Sequence, residues 1–441
     1  MRRSILQTLL TQAPTLLLYF LASTLMTRML GDTGRGEYAL LTNQAALLSM
    51  LLSMNIGIGI TYFTAKTSTD ARTSIGAAAS MLLLDIVLAP LILWGISTSA
   101  ELTGVVMPPD RLHWAYWGFV YLLIILSLLN GSVAAIMLGL KRFKVLNAMA
   151  LLNAVLSAIG FLGLYLVKER IAPEQIFPAV LVVAIATMVL LSLTWCGLYV
   201  FVVRVPPMLV WRWSLLRPIL AFSLVGHLSN LINLINYRFD VWVVDHYRGA
   251  AELGLYAVAV GVAQLLFHIP EPFARVMQPF LFGQVKDEVL ARYKAVARLN
   301  FTTVLVLSAI LGAMAAWVIP FLYGEVFRNS VSALQLLLPG ILFSSASKLL
   351  AQLVIQGGVQ KFNLLGTSVG AIITICLDWL LIPHWGIEGA ALASTISYFV
   401  ILLVIVLVIR YRLRIPVHDL FLLRSSDLVL LRNPASWKPA R

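Results

Sequence analysis

Gln264, His268, Glu271, Arg275 and Gln278 follow one another at spacings of four, three, four and three, so at about 100° per residue they share one narrow face of a helix. Two amides, an imidazole, a carboxylate and a guanidinium make a set for gripping a polar ligand by hydrogen bonds and charge. They stand in an apolar stretch, where each polar group costs on the order of 1 to 3 kcal/mol unless it faces protein or water. Such a face lines a cavity or forms a buried polar seam between helices, and Glu271 and Arg275, four apart, can neutralise each other. Pro270 and Pro272 interrupt the stretch, and helices broken near mid-membrane mark many transporter sites.

A second stripe holds Ser223, His227, Asn230, Asn233, Tyr237 and Arg238 at spacings of three and four, closing on an adjacent pair. Among charges inside apolar stretches, Arg238, Arg275 and Lys348 outweigh Glu271 and Asp85. Lys348 lies near the centre of its stretch, where an ammonium is hardest to place. This cationic bias suits an anionic cargo, because Arg and Lys make charge-assisted bonds to phosphate oxygens. The expected ligand-holding residues are therefore Arg238, Arg275, Lys348, His268, Asn230, Asn233, Tyr237, Gln264 and Gln278, with Arg28 from the first half. Glu271 and Asp85 are the ion-coupling candidates. Asp240 and Asp378 lie nearer the end of their stretches, where a structural pair with Arg238 or Arg248 is an equal alternative to function.

The elements that position these residues are transmembrane helices. The 441-residue chain is 60% hydrophobic and 12% charged, with a mean hydropathy of +0.92, against roughly 25% charged residues in soluble domains. Stretches long enough to cross a bilayer fall at 7–30, 40–65, 75–97, 114–138, 146–167 and 177–203, then at 216–244, 253–282, 299–322, 332–355, 364–382 and 387–409. The chain lacks the alternation of a transmembrane barrel. Met1, Arg2 and Arg3 open an apolar run without a small-residue cleavage site, so no cleaved signal is expected. Lys141, Arg142, Lys144, Arg204, Arg212 and Arg217 gather on one side with many others, against Arg28, Arg35, Arg111, Lys168, Arg170, Arg248 and Arg328 opposite. The positive-inside rule then puts both termini in the cytoplasm, and the net charge of +13 reports topology instead of nucleic-acid binding.

An internal repeat organises the twelve helices. Gly31, Gly36, Tyr38 and Ala39 recur as Gly249, Gly254, Tyr256 and Ala257, and Gly139, Lys141, Arg142 and Phe143 recur near the same offset as Gly358, Gln360, Lys361 and Phe362. Repeats at half the chain length predict two six-helix lobes related by a pseudo-two-fold axis. The expected boundaries are 1–205 for the first lobe, 206–216 for a cytoplasmic linker, 217–410 for the second lobe and 411–441 for a basic cytoplasmic tail with a short interfacial helix and a disordered end. Gly366 and Gly370 form a small-xxx-small pair suited to close helix packing. Cys196 and Cys376 sit alone and imply neither a disulfide framework nor a metal site. The chain shows no P-loop, HExxH, zinc-spaced cysteines or Gly-x-Ser-x-Gly elbow. No catalytic residue, metal or cofactor is expected, and any coupling comes from a proton or sodium gradient.

Several strings in a fixed order resemble one family. They are Thr27-Arg28-Met29-Leu30-Gly31 with Gly36-Glu37-Tyr38, Arg238-Phe239-Asp240 leading to Gly249 and Glu252-Leu253-Gly254-Leu255-Tyr256, Leu322-Tyr323-Gly324-Glu325, and Gly386-Ile387-Glu388-Gly389-Ala390-Ala391. Over nearly its whole length the chain resembles the Wzx-type polysaccharide flippases, within the superfamily that includes multidrug and toxin extruders and lipid II flippases. The resemblance implies an all-α membrane protein with a cavity open to one side at a time. The implied cargo is an oligosaccharide on polyprenyl pyrophosphate, moved across the inner (cytoplasmic) membrane for O-antigen, capsule or exopolysaccharide synthesis, with a polymerase or glycosyltransferases as possible partners. Lipid II flippases carry two further helices after the twelfth, where this chain has a short tail. An ion-coupled multidrug or metabolite antiporter is the alternative and a membrane polysaccharide polymerase the lesser one.

Overall fold

The computed structural model describes residues 2–65, 71–108, 113–203, 213–269, 287–357 and 361–424, together with 209, 211, 359 and 427. All regular structure among them is helical, as it must be for apolar segments whose backbone groups find no water in lipid. In chain order the α-helices are α1 (Arg2–Ser53), α2 (Ile56–Ala65), α3 (Ala71–Ser97), α4 (Ala100–Val106), α5 (Trp114–Gly139), α6 (Phe143–Val167), α7 (Pro173–Leu198), α8 (Trp213–Gln264), α9 (Asp287–Tyr323), α10 (Ser330–Gln356), α11 (Lys361–Tyr411) and α12 (His418–Phe421). Helix α8 begins inside the segment expected as linker.

Helices α1, α8 and α11 run for 52, 52 and 51 residues. At 1.5 Å per residue a rod of that length reaches about 75 Å, more than twice the bilayer core. Each passes through a non-helical glycine near its middle: Gly31 at φ 66°, Gly249 at φ 79° and Gly386 at φ 56°. These are left-handed conformations that glycine adopts without a Cβ penalty. The chain reverses at two of them by direct contact: the Tyr256 hydroxyl donates to Asp240 Oδ2 at 2.5 Å, and the Thr374 hydroxyl donates to Ser397 Oγ at 2.8 Å. In straight helices those residues would be roughly 24 and 35 Å apart. Among the described residues there are nine apolar candidate spans when the bent pair α1–α2 is taken as one. With three of them doubled at a glycine, they supply the twelve crossings that hydropathy predicts.

Contact density divides the chain into two compact units. The first comprises Leu6–Leu234 with Gly249–Gly254, and the second Met1–Ile5, Ile235–Arg248 and Leu255–Arg441. The core of the first gathers Met26, Leu41, Ile124, Phe177 and Val180. In the second, α10 and α11 pack closely, with Thr395 donating to the Leu336 carbonyl at 2.7 Å and Gly340 making room for Thr395.

The first repeated motif has a structural reason. Within the first unit, an alanine methyl at Gly36 would lie 1.8 Å from the Ala250 carbonyl oxygen, and one at Gly254 would lie 1.8 Å from the Asp32 carbonyl oxygen. Two repeat-related backbones thus press together reciprocally, each glycine opposite a carbonyl four residues before the other. Gly358 and Gln360 of the second motif lie outside the described residues.

The tail is docked where it is described. Ile415 and Leu420 are buried, and the Phe421 ring meets Phe301 of α9 edge-on at 4.9 Å. Arg298 of α9 forks onto Asp427 through Nε at 2.7 Å and Nη2 at 2.5 Å, and Lys294 reaches Asp419 at 2.9 Å. Burial opposes the charge on Asp427, but the Arg298 fork and the Arg424 backbone N–H outweigh it and hold the carboxyl below its ordinary range. The Lys294 hydrogen bond does the same for Asp419. Depressed folded values mean that this stabilisation is fully present above the ordinary carboxylate value near 4 and is lost as pH falls through the lower folded one. The Arg298 and Asp427 side chains are 5% and 2% exposed, so Arg298→Ala strands a buried carboxylate and is expected to destabilise the fold by about 3 kcal/mol at neutral pH. Thermal unfolding across an acid titration checks this. The account of the tail fails if the variant melts with the parent at pH 7.

Candidate functional site

The second unit brings together five side chains from three helices and a turn. After α8 ends at Gln264, a short 3-10 turn spans Leu265–His268 and presents Phe267. The Lys348 ammonium, from the middle of α10, lies 4.1 Å from the Phe267 ring centre and 6.0 Å from that of Tyr237 on α8. The Tyr237 ring packs against Phe267 at 6.0 Å and against Tyr398 of α11 at 5.6 Å. Ser344, one turn before Lys348 and on the same face, faces the Tyr237 hydroxyl at 3.5 Å. Aromatic faces carry negative charge density, so they help hold an ammonium where water is scarce. Lys348 is half-buried.

Beside this cluster a polar network locks α8 to α11. Asn236 is 2% exposed; its Nδ2 donates to the Thr367 carbonyl at 2.9 Å, and its Oδ1 accepts from the hydroxyls of Thr374 at 3.4 Å and Ser397 at 3.5 Å. Ser397 also donates to the Gly370 carbonyl at 2.8 Å. Gly370 admits this because a methyl there would fall 2.5 Å from Ile401 and 3.1 Å from Asn236 Oδ1, so the small-xxx-small pair serves close packing as expected.

One turn along α8 lies a buried acidic pair. Asp240, 5% exposed, accepts from Tyr256 and from its neighbour's N–H at 2.8 Å, with Ser394 also bonded to it. Asp378 of α11 is fully buried, within the electrostatic reach of Asp240, and among the described residues neither of its carboxylate oxygens has a hydrogen-bond partner. A bare carboxylate in that setting is untenable without a proton or a cation. The sequence named both acids, with a structural pair to Arg238 or Arg248 as an equal alternative to function; Arg238 does act on Asp240 electrostatically, while the short contact comes from Tyr256. The signal was present, because Tyr256 belongs to the repeat and a hairpin at Gly249 brings it back to Asp240.

The other expected residues scatter. Tyr237 and Lys348 meet. Gln264 is half-buried at the end of α8, His268 is exposed in the turn, and Arg238 is exposed. Asn230 and Asn233, both half-buried, belong to the first compact unit. So do Asp85, 5% exposed on α3, and Arg28, whose guanidinium bonds the Tyr165 phenol beside Lys168, itself 4.1 Å over the Tyr165 ring. Glu271, Arg275 and Gln278 lie outside the described residues. Among the described residues no three His, Cys, Asp or Glu side chains are placed to hold a metal ion.

Comparisons with known proteins agree with this architecture. The sequence model of a family described as polysaccharide biosynthesis protein matches residues 25–332. No curated protein matches the chain by sequence. Among solved structures, the lipid II flippase MurJ in an inward closed conformation superposes with a TM-score of 0.71 at 12% identity, covering 99% of this chain and 94% of that one. An inward-facing multidrug resistance MATE family transporter of the MOP superfamily gives 0.70 at 17% identity, covering 92% and 98%. A MOP superfamily transporter from Pyrococcus furiosus, described as having a binding pocket of reverse polarity, gives 0.54 at 15% identity, covering 92% and 95%. At these identities the likeness shows a shared fold, the two-lobed twelve-helix membrane architecture.

Proposed function

Because this chain belongs to the polysaccharide biosynthesis protein family, we propose that it is a flippase that carries oligosaccharide units on polyprenyl pyrophosphate across the cytoplasmic membrane by alternating access. Both termini then face the cytoplasm, as the Lys and Arg distribution favours. The observation that carries the reading is the Lys348 ammonium seated over Phe267 and near Tyr237, whose ring packs on Tyr398. A half-buried ammonium held among aromatic rings can donate charge-assisted bonds to pyrophosphate oxygens. Aromatic rings and the Ser344 hydroxyl beside it suit the saccharide that follows. Glycosyltransferases supply such a cargo on one side, and a polymerase consumes it on the other. The experiment is flipping of a fluorescent polyprenyl-pyrophosphate oligosaccharide by the full chain in liposomes.

The acidic pair supports ion coupling as part of the same reading. Asp378, with Asp240 near it, takes up a proton or a monovalent cation from the gradient, a role the sequence gave to Glu271 and Asp85. Asp378→Asn keeps the shape and removes the charge. It is expected to remove the dependence of flipping on a proton or sodium gradient and to lower the driven rate by about tenfold, the scale of one lost charged interaction. Gradient-dependent flipping at the parental rate by Asp378→Asn refutes the assignment.

A further inference from the structure

Helix α2 does not continue straight from α1. Met54 and Asn55 both adopt left-handed backbone angles, φ 44° and 56°, and the axis bends by 50° there. Non-glycine residues rarely adopt such angles, and strain of this kind clusters where a site requires it. The first stretch of α8 packs on the break, within the same compact unit. A methyl at Gly226 would lie 2.7 Å from Asn55 Nδ2, and one at Gly59 would lie 2.5 Å from Ser223 Oγ. Asn55 thus opposes Gly226 while Gly59 opposes Ser223, so the two helices run antiparallel along this line with glycines making the approach possible.

Three polar atoms of Asn55, Ser223 and His227 along this line have no hydrogen-bond partner among the described residues. Ser223 is fully buried and His227 is 8% exposed, and the three atoms are Ser223 Oγ, His227 Nδ1 and Asn55 Nδ2. The contrast with Asn236 is plain, since the latter's side chain is bonded through both its nitrogen and its oxygen. A buried polar group left unpaired is penalised, so native folds satisfy nearly all of them. Beside the notch the Tyr62 and Phe222 rings stack at 4.5 Å with planes 22° apart, and each is 43% exposed. A flat apolar surface next to a few convergent polar atoms is the make-up of a small-molecule site.

We propose that Asn55, Ser223 and His227 form a hydroxyl-binding subsite that takes a sugar hydroxyl of the cargo. The chemistry selects that group. The amide N–H only donates, the serine hydroxyl does both, and an imidazole nitrogen can donate or accept, a mixed set that a hydroxyl, itself donor and acceptor, can meet. A metal cation is disfavoured by the N–H. The stacked rings offer the adjoining surface to the apolar face of the same sugar ring. Naming the hydroxyl as a sugar's rests on the function proposed above.

The test measures the affinity of the full chain in nanodiscs for two probes, polyprenyl pyrophosphate carrying a disaccharide and the same lipid without sugar. The parent is expected to prefer the glycosylated lipid by about tenfold, the scale of a lost hydrogen bond in a site built to receive it. Ser223→Ala and His227→Leu are expected to bring that preference close to one by weakening the glycosylated lipid alone, with unchanged melting because neither atom has a protein partner to lose. Parental preference retained in both variants, or an equal loss for the two lipids, overturns the subsite and leaves the flippase reading standing. A parent that binds neither lipid overturns both.

Discussion

Replacing Gly36 with alanine is expected to lower the melting temperature by several degrees and to reduce the yield of folded protein sharply. The added methyl would meet the Ala250 carbonyl oxygen at 1.8 Å, its carbon at 2.7 Å and the Gly254 nitrogen at 2.9 Å, where even a close C–H···O contact needs roughly 3.3 Å. All three obstacles are backbone, so no side chain can turn aside, and the two segments must separate. Overpacking a well-packed contact ordinarily costs about 1 to 3 kcal/mol, and an obstacle this short belongs at or above the upper end. Gly254→Ala is expected to do the same against Asp32, and the double variant to lose less than the sum because both changes open one contact. Gly249→Ala separates crowding from backbone strain: no atom lies within 4 Å of its added methyl, but its φ is +79°, so its penalty is the 1 to 2 kcal/mol or so of a left-handed residue. Thermal unfolding of the four variants in detergent decides the matter. Equal melting of Gly36→Ala and the parent would contradict the reciprocal contact.

The second large effect concerns transport. Lys348→Met keeps the length of the side chain and its packing on Phe267 while removing the ammonium. Flipping of a polyprenyl-pyrophosphate cargo is expected to fall by about tenfold to a hundredfold, the worth of one hydrogen bond to a charged group at roughly 1.5 to 3 kcal/mol. Folding is expected to hold, since replacing a charge at membrane depth with an apolar group of similar volume is often neutral or stabilising. Lys348→Arg does not restore the parent rate, because a planar fork does not fill the place of a compact ammonium above a ring. Initial rates at matched protein density in liposomes provide the measurement, and parental rates in Lys348→Met remove Lys348 from cargo binding.

Hydropathy carried the count of crossings, because the lipid solvent imposes one long apolar run per span. The repeat, read as a sign of two similar halves, contains Gly31 and Gly249, where the structure places two of the non-helical glycines. It also contains Gly36 and Gly254, where an added methyl would meet the partner segment's backbone at 1.8 Å. Tyr237 was singled out as part of a polar stripe and Lys348 as a charge near the centre of its stretch, and the Lys348 ammonium lies 6.0 Å from the Tyr237 ring centre.

Helical spacing was less informative about which residues share a site. The stripe from Ser223 to Arg238 occupies one side of a helix, but Asn233 and Tyr237 fall in different compact units, and a helical wheel contains no such division. Asp240 drew its expected partners from its own neighbourhood in sequence. The actual donor, Tyr256, arrives sixteen residues later through a reversal. The Arg298 fork onto Asp427 spans 129 residues, and no periodicity links a helix end to a tail. The Asn55 break escaped notice because nothing in an apolar run announces two left-handed residues.

The central claim is that the cargo is an anionic lipid-linked saccharide. Its most direct test is translocation by the purified chain in liposomes, comparing a fluorescent polyprenyl-pyrophosphate oligosaccharide with a cationic dye, with and without a proton or sodium gradient. The account predicts movement of the lipid-linked saccharide and not of the dye. Movement of the dye with the saccharide left in place would contradict it and identify a drug extruder built on the same fold.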